Sequence, residues 1–311
     1  MSDLHGHGAA PENTMERRLW ASAALNVAIT LAELVGGLLS GSLALMSDAA
    51  HNFSDVVAVG LALWARRIGR RPPTTRHTYG FKRAEIIAAL ANAVALIAVS
   101  VVIAREALVR LLHPTAVAQG LMLIVALVAF VANIGSVLLL RRHDADDVNV
   151  RSAFLHMAQD ALASLAVVAA ALLAHTAVGP WVDPAAALIV VFSVLRSGLA
   201  LVWETLSTLL EGAPAGVDVQ ALQDAVGEAF PEVALHHLHL WQNGPGQRLL
   251  TAHVTVGEHL DARAIETLFS GIKAVLRERW EITHATLEPE VTGCGENALL
   301  GQWEREESSR E

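Results

Sequence analysis

The hydrophobic and polar positions of this chain follow two patterns, which change near residue 211. Before that point the chain consists of apolar runs of roughly 20 residues, the length that crosses a bilayer as a helix. We predict six such spans, at residues 18–39, 43–65, 84–104, 117–140, 152–175 and 183–203. The part of the fourth run from 121 to 140 contains no charged residue. This pattern is typical of a membrane bundle of six helices.

The second pattern is that of a small soluble domain with helices and strands. It begins after Glu211-Gly212-Ala213-Pro214, where glycine and proline end the last apolar run. Helical periodicity covers 217–229 and 261–279, strand alternation covers 233–242, 248–256 and 282–290, and residues 243–246 form a turn. The order α-β-β-α-β predicts an α+β fold with helices on one face of a small sheet.

These patterns predict four segments. They are a disordered leader over 1–16, a six-helix transmembrane domain over 17–210, a soluble domain over 211–292 and a flexible acidic tail over 293–311. The single cysteine, Cys294, excludes an internal disulfide and a cysteine-rich zinc module.

Composition and charge support a membrane protein. Of 311 residues, 53% are hydrophobic and 17% are charged, against about a quarter charged in soluble domains. The formal net charge of −9 conceals basic connections after spans 2 and 4. Their basic residues are Arg66, Arg67, Arg70, Arg71, Arg76, Lys82 and Arg83, and then Arg141, Arg142 and Arg151. Because cytoplasmic connections are rich in lysine and arginine, we expect both termini in the cytoplasm.

Two copies of one spacing, His-x-x-x-Asp, lie inside the apolar runs. They are His51 with Asp55 in span 2, and His156 with Asp160 in span 5. Since a helix turns once in about 3.6 residues, each histidine shares a helix face with its aspartate. Ionisable groups are costly in hydrocarbon and normally face a bundle interior. Two imidazoles and two carboxylates suit a divalent metal such as zinc, so we predict a membrane metal carrier.

Simpler roles exist for each group taken alone. A lone histidine in a membrane helix can hydrogen-bond a neighbouring helix, and a single His–Asp pair can fix a tautomer or relay protons. The repetition favours a shared site, because four such groups in lipid are costly. Asp48 lies on the face of His51, and we expect it to support the site or line a pathway. For Asn26, Asn92 and Asn133 we expect interhelical hydrogen bonds.

Several segments together resemble the cation diffusion facilitator family, most closely its bacterial zinc exporters. They are SLALMSDAAHNFSD, RPPTTRHTYGFKRAE, HMAQD, LEGAP and HHLHLW, and the resemblance extends from about 16 to 292. It implies a homodimer in the bacterial inner membrane, with a tetrahedral zinc site of His51, Asp55, His156 and Asp160 in each protomer. It further implies proton-coupled zinc export by alternating access, and a cytoplasmic ferredoxin-like domain.

The chemistry of the four ligands agrees with proton coupling. Zinc binds neutral imidazole and ionised carboxylate, so loading displaces protons. Two carboxylates balance the charge of a bound Zn²⁺. After zinc is released, protons can balance the negative charge of the carboxylates. We therefore expect zinc to leave outward while protons return through the same residues. The alternative is a broader exporter of Co²⁺, Cd²⁺ and Zn²⁺, since ligand affinity alone discriminates poorly.

The connection between spans 2 and 3 carries two further expectations from the resemblance. Some family members have a second metal site there, and the matching positions in this chain are Thr74, His77 and Phe81. Because only the histidine remains, we expect that site to be absent and His77 to serve loop structure. Arg83 and Glu211 lie at positions that resemble a charge interlock between the membrane and soluble parts.

The soluble part has a histidine cluster of its own. Its members are His236, His237, His239, His253 and His284, with Glu288 and Glu290. Strict alternation puts His237 and His239 on one face of the first strand, and Leu238 on the other. An exposed strand face of this kind can bind zinc, and the alternative is a solvated polar face without metal.

The resemblance points instead to His236 in the first strand, together with His253 and with Glu290 or His284 nearby. The two lines of reasoning disagree about the histidine of the first strand, and we favour His236. We expect a regulatory zinc site of His236, His253 and His284 that senses cytoplasmic zinc by tightening the dimer.

Other classes of function receive less support. An intramembrane metalloprotease needs a water-activating motif such as His-Glu-x-x-His, which the sequence lacks. A sensor that does not transport is disfavoured by a four-ligand site within six spans. Nucleic-acid binding is not expected, because the soluble part is acidic. We therefore expect a secondary active transporter whose partners are Zn²⁺, protons, the lipid bilayer and a second copy of the chain.

Overall fold

The computed structural model describes residues 10–140, 148–174, 176–291 and 299, with the backbone alone for 10–23, 136, 139, 140 and 148–156. The helices are α1 (Ala10–Ser40), α2 (Leu43–Gly69), α3 (Arg83–Leu112), α4 (Gln119–Leu140), α5 (Val148–Leu173), α6 (Gly179–Leu209), α7 (Val219–Ala229) and α8 (Ala262–Trp280). The strands are β1 (Ala234–Gly244), β2 (Gln247–Thr255) and β3 (Ile282–Glu290).

Each predicted span coincides with one of the first six helices, several of which extend beyond the predicted bounds, and the largest difference at a helix start is in α1. The backbone of residues 10–16 is helical and belongs to α1, although these residues were expected in a disordered leader. Pro11 lies in the first turn, where its missing N–H removes no helical hydrogen bond. The rest of the expected leader (1–9) and most of the expected tail (293–298 and 300–311) lie outside the described residues.

Within the described residues, two helices are long and apolar enough to cross a membrane by length and composition. They are Arg83–Leu112 and Gly179–Leu209, with mean hydropathies of 2.7 and 2.2 over their most apolar stretches. Only 28% and 33% of those stretches are buried inside the molecule. Shorter apolar helical segments are Ala24–Ser40, Gln119–Gly135 and Met157–Leu173. Apolar helices that leave most of their surface uncovered are typical of proteins embedded in lipid.

The chain divides into two compact units. The first comprises Met1–Gly60 and Ala91–Leu201, and the second comprises Leu61–Leu90 and Val202–Glu311. The second unit therefore includes the ends of α2 and α3 and their connection, in addition to the predicted soluble domain.

Small residues let the helices of the first unit approach closely. Its core contains many alanines: Ala44, Ala107, Ala126, Ala170, Ala171, Ala186 and Ala187. At Gly36 of α1, a Cβ atom would lie 2.7 Å from a methyl group of Val125 on α4. Only glycine permits this approach, and close contacts between small residues are the usual way in which membrane helices pack.

The start of α2 is held by a buried aspartate from α6. After α1 ends, Gly41 adopts a φ of +71°, which reverses the chain at little cost. Ser42 then caps α2 by accepting a hydrogen bond from the Leu45 N–H at 3.2 Å. Asp183 accepts hydrogen bonds from the Ser42 hydroxyl at 2.5 Å and from the N–H groups of Leu43 and Ala44 at 2.9 and 3.2 Å.

The second unit contains a three-stranded sheet in the order β1-β2-β3. β1 and β2 are antiparallel and are joined by a tight turn, whereas β2 and β3 are parallel and connected through α8. The predicted order α-β-β-α-β is confirmed. The core includes Leu222 of α7, Ile272 and Leu276 of α8, and Leu250 and Val254 of β2.

A β-bulge interrupts β1 and changes which side chains share a face. His236 pairs with His253 and His239 pairs with Thr251, so His237 and Leu238 together oppose Ala252. His237 has a φ of +50°, in the left-handed region. The extra residue brings His236 onto the same face as His239, whereas strict alternation would separate them.

We expect Asp183→Ala to destabilise the protein by about 3 kcal/mol, because three buried hydrogen bonds to a carboxylate are lost. The measurement is thermal unfolding of the purified protein in detergent, with a decrease in Tm of roughly 5–10 °C. Glu232→Ala, which removes an exposed acid, is the control and is expected to leave Tm nearly unchanged. Equal Tm values for both variants would contradict this role of Asp183.

Candidate metal sites

Helices α2 and α5 bring together three of the four predicted membrane ligands. His51 Nδ1 lies 3.9 Å from Asp55 Oδ2, and His51 Nε2 lies 3.9 Å from Asp160 Oδ1. The Asp160 side chain is 1% exposed, whereas those of His51 and Asp55 are 24% and 30% exposed. One imidazole thus lies between two carboxylates from different helices.

These distances are too long for hydrogen bonds. They are also slightly longer than the distance between two donor atoms on one tetrahedral zinc ion. With ligand bonds of about 2.0–2.1 Å, two donors on a tetrahedral zinc ion lie about 3.3 Å apart. The carboxylates of Asp55 and Asp160 face different nitrogens of the His51 ring. Binding of one ion by all three side chains would therefore require a rearrangement that brings both carboxylates to the same ring nitrogen.

The fourth predicted ligand, His156, belongs to the helical backbone of α5. It precedes Asp160 by four residues on a continuous helix, the same spacing that relates His51 to Asp55 in α2. Its side chain lies outside the described part of the structure. The spacing of His156 and Asp160 on one helix face is therefore the structural fact that bears on its role.

Asp48 belongs to a chain of buried polar side chains beside this group. The Ser164 hydroxyl of α5 donates to Asp48 Oδ2 at 3.2 Å, and Asn133 of α4 donates to Ser164 at 3.1 Å. Asn92 of α3 likewise donates to the Ser54 hydroxyl of α2 at 3.0 Å. The predicted interhelical hydrogen bonds of Asn92 and Asn133 are confirmed, and these bonds fix α2 relative to its neighbours.

Glu33 of α1 is a buried acid that the sequence reasoning missed. It is 0% exposed and accepts a hydrogen bond from the Asn52 amide of α2 at 2.9 Å. The signal was present, because Glu33 is the only ionisable residue between Arg18 and Asp48 and acids within membrane helices usually mark a site. Glu33 extends the polar interior from α2 to α1.

A second group of candidate ligands lies on the sheet of the other unit. His236, His253 and Glu290 offer ligand atoms that all lie within 4.8 Å of one another. Glu290 Oε2 lies 2.9 Å from His236 Nε2, and Glu290 Oε1 lies 2.6 Å from His253 Nδ1. The His236 side chain is 3% exposed and that of Glu290 is 16% exposed. Two imidazoles and one carboxylate can hold zinc and leave a fourth position open.

The bulge in β1 determines which histidines belong to this group. It puts His236 directly opposite His253, which agrees with the choice of His236 over His237 for this face. His284 does not join the group: its backbone pairs with Leu249, four residues before His253, and its side chain is exposed. In its place Glu290, at the end of β3, supplies the third donor.

The connection between α2 and α3 contains the contacts of an ordered loop. Thr74 and His77 exchange backbone hydrogen bonds at 3.1 Å in both directions, and the His77 ring packs against Phe81 with centroids 4.6 Å apart. The predicted ion pair is present, because Arg83 Nη2 donates to Glu211 Oε1 at 2.8 Å. These contacts give His77 the loop-structure role that was expected.

Comparison with known proteins agrees with this arrangement. The family model of the cation efflux transmembrane domain matches residues 19–210. The chain is 37% identical over 299 residues to the zinc transporter ZitB of Escherichia coli, covering 94% of each protein. It is 34% identical to the cadmium, cobalt and zinc/H(+)-K(+) antiporter of Bacillus velezensis, covering 88% of each.

A third relative is the metal cation efflux system protein CzcD of Cupriavidus metallidurans. It is 34% identical over 289 residues, which cover 93% of this chain and 91% of the relative. The family match includes all of α2 to α6 and the part of α1 that carries Glu33, and so covers the polar interior described above. The chain is therefore an integral membrane protein that belongs to the cation efflux family, the cation diffusion facilitators.

Proposed function

We propose that this protein exports Zn²⁺ from the cytoplasm in exchange for protons, through a site made by His51, Asp55, His156 and Asp160. The observation that carries the proposal is the meeting of His51 with the carboxylates of Asp55 and Asp160 in the interior of the first unit. A membrane bundle tolerates such groups where they serve transport or pair with one another.

The choice of zinc rests on the ligand set and on the relatives. Two imidazoles and two carboxylates match the nitrogen and oxygen donors of tetrahedral zinc sites. One relative is named a zinc transporter. Another relative is named for cadmium, cobalt and zinc, which supports a broader divalent exporter as the second candidate function.

Proton exchange follows from the charge of the site. Zinc requires neutral imidazole and ionised carboxylate, so protons and zinc compete for the same side chains. In a low-dielectric interior, two carboxylates need a balancing positive charge in every state of the cycle. Zinc supplies that charge when bound, and in our mechanism protons supply it on the return step.

We further propose that α1 to α6 are six membrane spans with both termini in the cytoplasm, and that the protein acts as a homodimer in the inner membrane. The even number of long helices and the basic connection after α2 support this orientation. Alternating access would then expose the site in turn to each side of the membrane.

For the soluble domain we propose a regulatory zinc site made by His236, His253 and Glu290. Its support is the convergence of three donors, one of them nearly buried, at one end of the sheet. Because the donors come from all three strands, an ion held there would tie the strands together. Occupancy would then report cytoplasmic zinc through the rigidity of the domain.

We expect Asp55→Ala and Asp160→Ala each to reduce zinc flux into liposomes by at least about a hundredfold, because each removes a ligand and leaves charge unbalanced. Asn92→Ala, which removes an interhelical hydrogen bond in the same bundle, is the matched control and should retain most of the flux. Flux that survives either aspartate substitution would overturn the ligand assignment. Comparable wild-type fluxes of Zn²⁺, Co²⁺ and Cd²⁺ would favour the broader exporter.

We expect zinc uptake by inverted vesicles to depend on an imposed pH gradient, with an acidic lumen accelerating uptake, because luminal protons displace zinc from the ligands. A zinc-sensitive dye inside the vesicles measures the rate. An ionophore that collapses the gradient is the control. Uptake that is indifferent to the gradient would reject proton exchange while leaving zinc transport intact.

We expect His236→Ala to lower the zinc bound per chain by about one ion, because a nearly buried donor is removed. The measurement is equilibrium dialysis of full-length protein carrying Asp160→Asn, so that the transport site contributes little. His284→Ala removes an exposed histidine from the same sheet and is the matched control. Equal losses in the two variants would reject the three-donor assignment.

A further inference from the structure

The connection between α2 and α3 forms one wall of a cavity of about 510 Å³ within the second unit. Its other wall includes Trp241 and Asn243 of β1. Arg83 connects the two walls of the cavity: it pairs with Glu211 at 2.8 Å and donates to Asn243 at 3.1 Å. Asn243 in turn donates to the Tyr79 carbonyl at 3.3 Å. The cavity thus has a defined hydrogen-bonded edge.

Arg76 gives the cavity an uncompensated positive charge. It lines the cavity, is exposed, and makes no hydrogen bond or ion pair with any other residue in the described part of the chain. Arg83, the other arginine of the lining, is already neutralised by Glu211. An unpaired guanidinium with five donors is suited to bind a phosphate group through two parallel hydrogen bonds.

The surrounding charge strengthens this preference for an anion. Residues 61–90 contain seven basic residues and one acid, Glu85, whereas residues 202–291 contain thirteen acids and five basic residues. An anion would therefore be attracted to the connection and repelled by the rest of the unit. A basic segment directly next to a membrane helix typically attracts anionic lipids.

The remaining lining is apolar and aromatic. Ile87 and Tyr79 are 55% and 56% exposed, and Phe81 and Trp241 complete this side. Ile87 lies in the first two turns of α3, a helix that is long and apolar enough to cross a membrane. A ligand with a phosphate at one end and hydrocarbon at the other fits both halves, and aromatic residues favour this interfacial depth.

We propose that this cavity binds the phosphate group of an anionic phospholipid, with Arg76 as the phosphate ligand and the side chains of Ile87 and Trp241 against the glycerol and acyl part. Phosphate esters are also present free in the cytoplasm, and the apolar half of the cavity favours the lipid over a free ester.

The test measures binding of phosphatidylglycerol to the full-length protein in neutral detergent by native mass spectrometry. We expect Arg76→Gln to weaken binding about tenfold, the loss of one charge-assisted contact, and Arg76→Lys to weaken it less. Arg70→Gln removes the same charge from an exposed position of the same connection that does not line the cavity. This matched control should stay within about twofold of wild type.

One further lipid and two free phosphates identify the source of the phosphate. Phosphatidylcholine is expected to bind at least about tenfold more weakly, and glycerol 3-phosphate and inorganic phosphate are expected not to displace phosphatidylglycerol. Equal losses for Arg76→Gln and Arg70→Gln would show diffuse attraction and overturn the site. Equal binding of phosphatidylcholine, or displacement by the free phosphates, would overturn the lipid assignment. Unchanged Tm values of the variants serve as the folding control.

Discussion

The high cost of a charge in hydrocarbon governs how the helices of this protein pack. A buried polar side chain in a membrane helix needs a partner within the protein, because no water is available in the bilayer core. Asp183 meets the start of α2, Glu33 meets Asn52, and Arg110 donates to the Gly41 carbonyl at 2.6 Å. The same contacts that satisfy these groups therefore determine how the helices are arranged.

One consequence is that the candidate metal site depends on a contact at the start of α2. Asp183 fixes where α2 begins, and His51 lies eight residues after Leu43, about 12 Å along the helix. A helix that starts at a fixed point and packs through small residues has little freedom to slide or rotate. The position of His51 relative to Asp160 thus reflects both the cap and the alanine-rich core.

The C-terminal part of the second unit follows a different physical rule, because the burial of apolar side chains holds its helices and strands together. Its sheet is held by an apolar core on one face, while its other face carries histidines and acids. The bulge at His237 is a local departure from regular pairing, and it is what brings His236 opposite His253. Bulges often occur where a strand must direct a side chain towards a site.

The sequence predicts the six long helices, the order α-β-β-α-β, and the common face of His51 with Asp55, because periodicity is a property of a single element. It did not predict that Asp183 caps α2, that Glu33 reaches Asn52, or that Glu290 rather than His284 joins His236 and His253. Each of these depends on which elements meet and in what register. These contacts are visible only in the folded chain, because residues 140 positions apart share no periodicity and one inserted residue in a strand exchanges its faces.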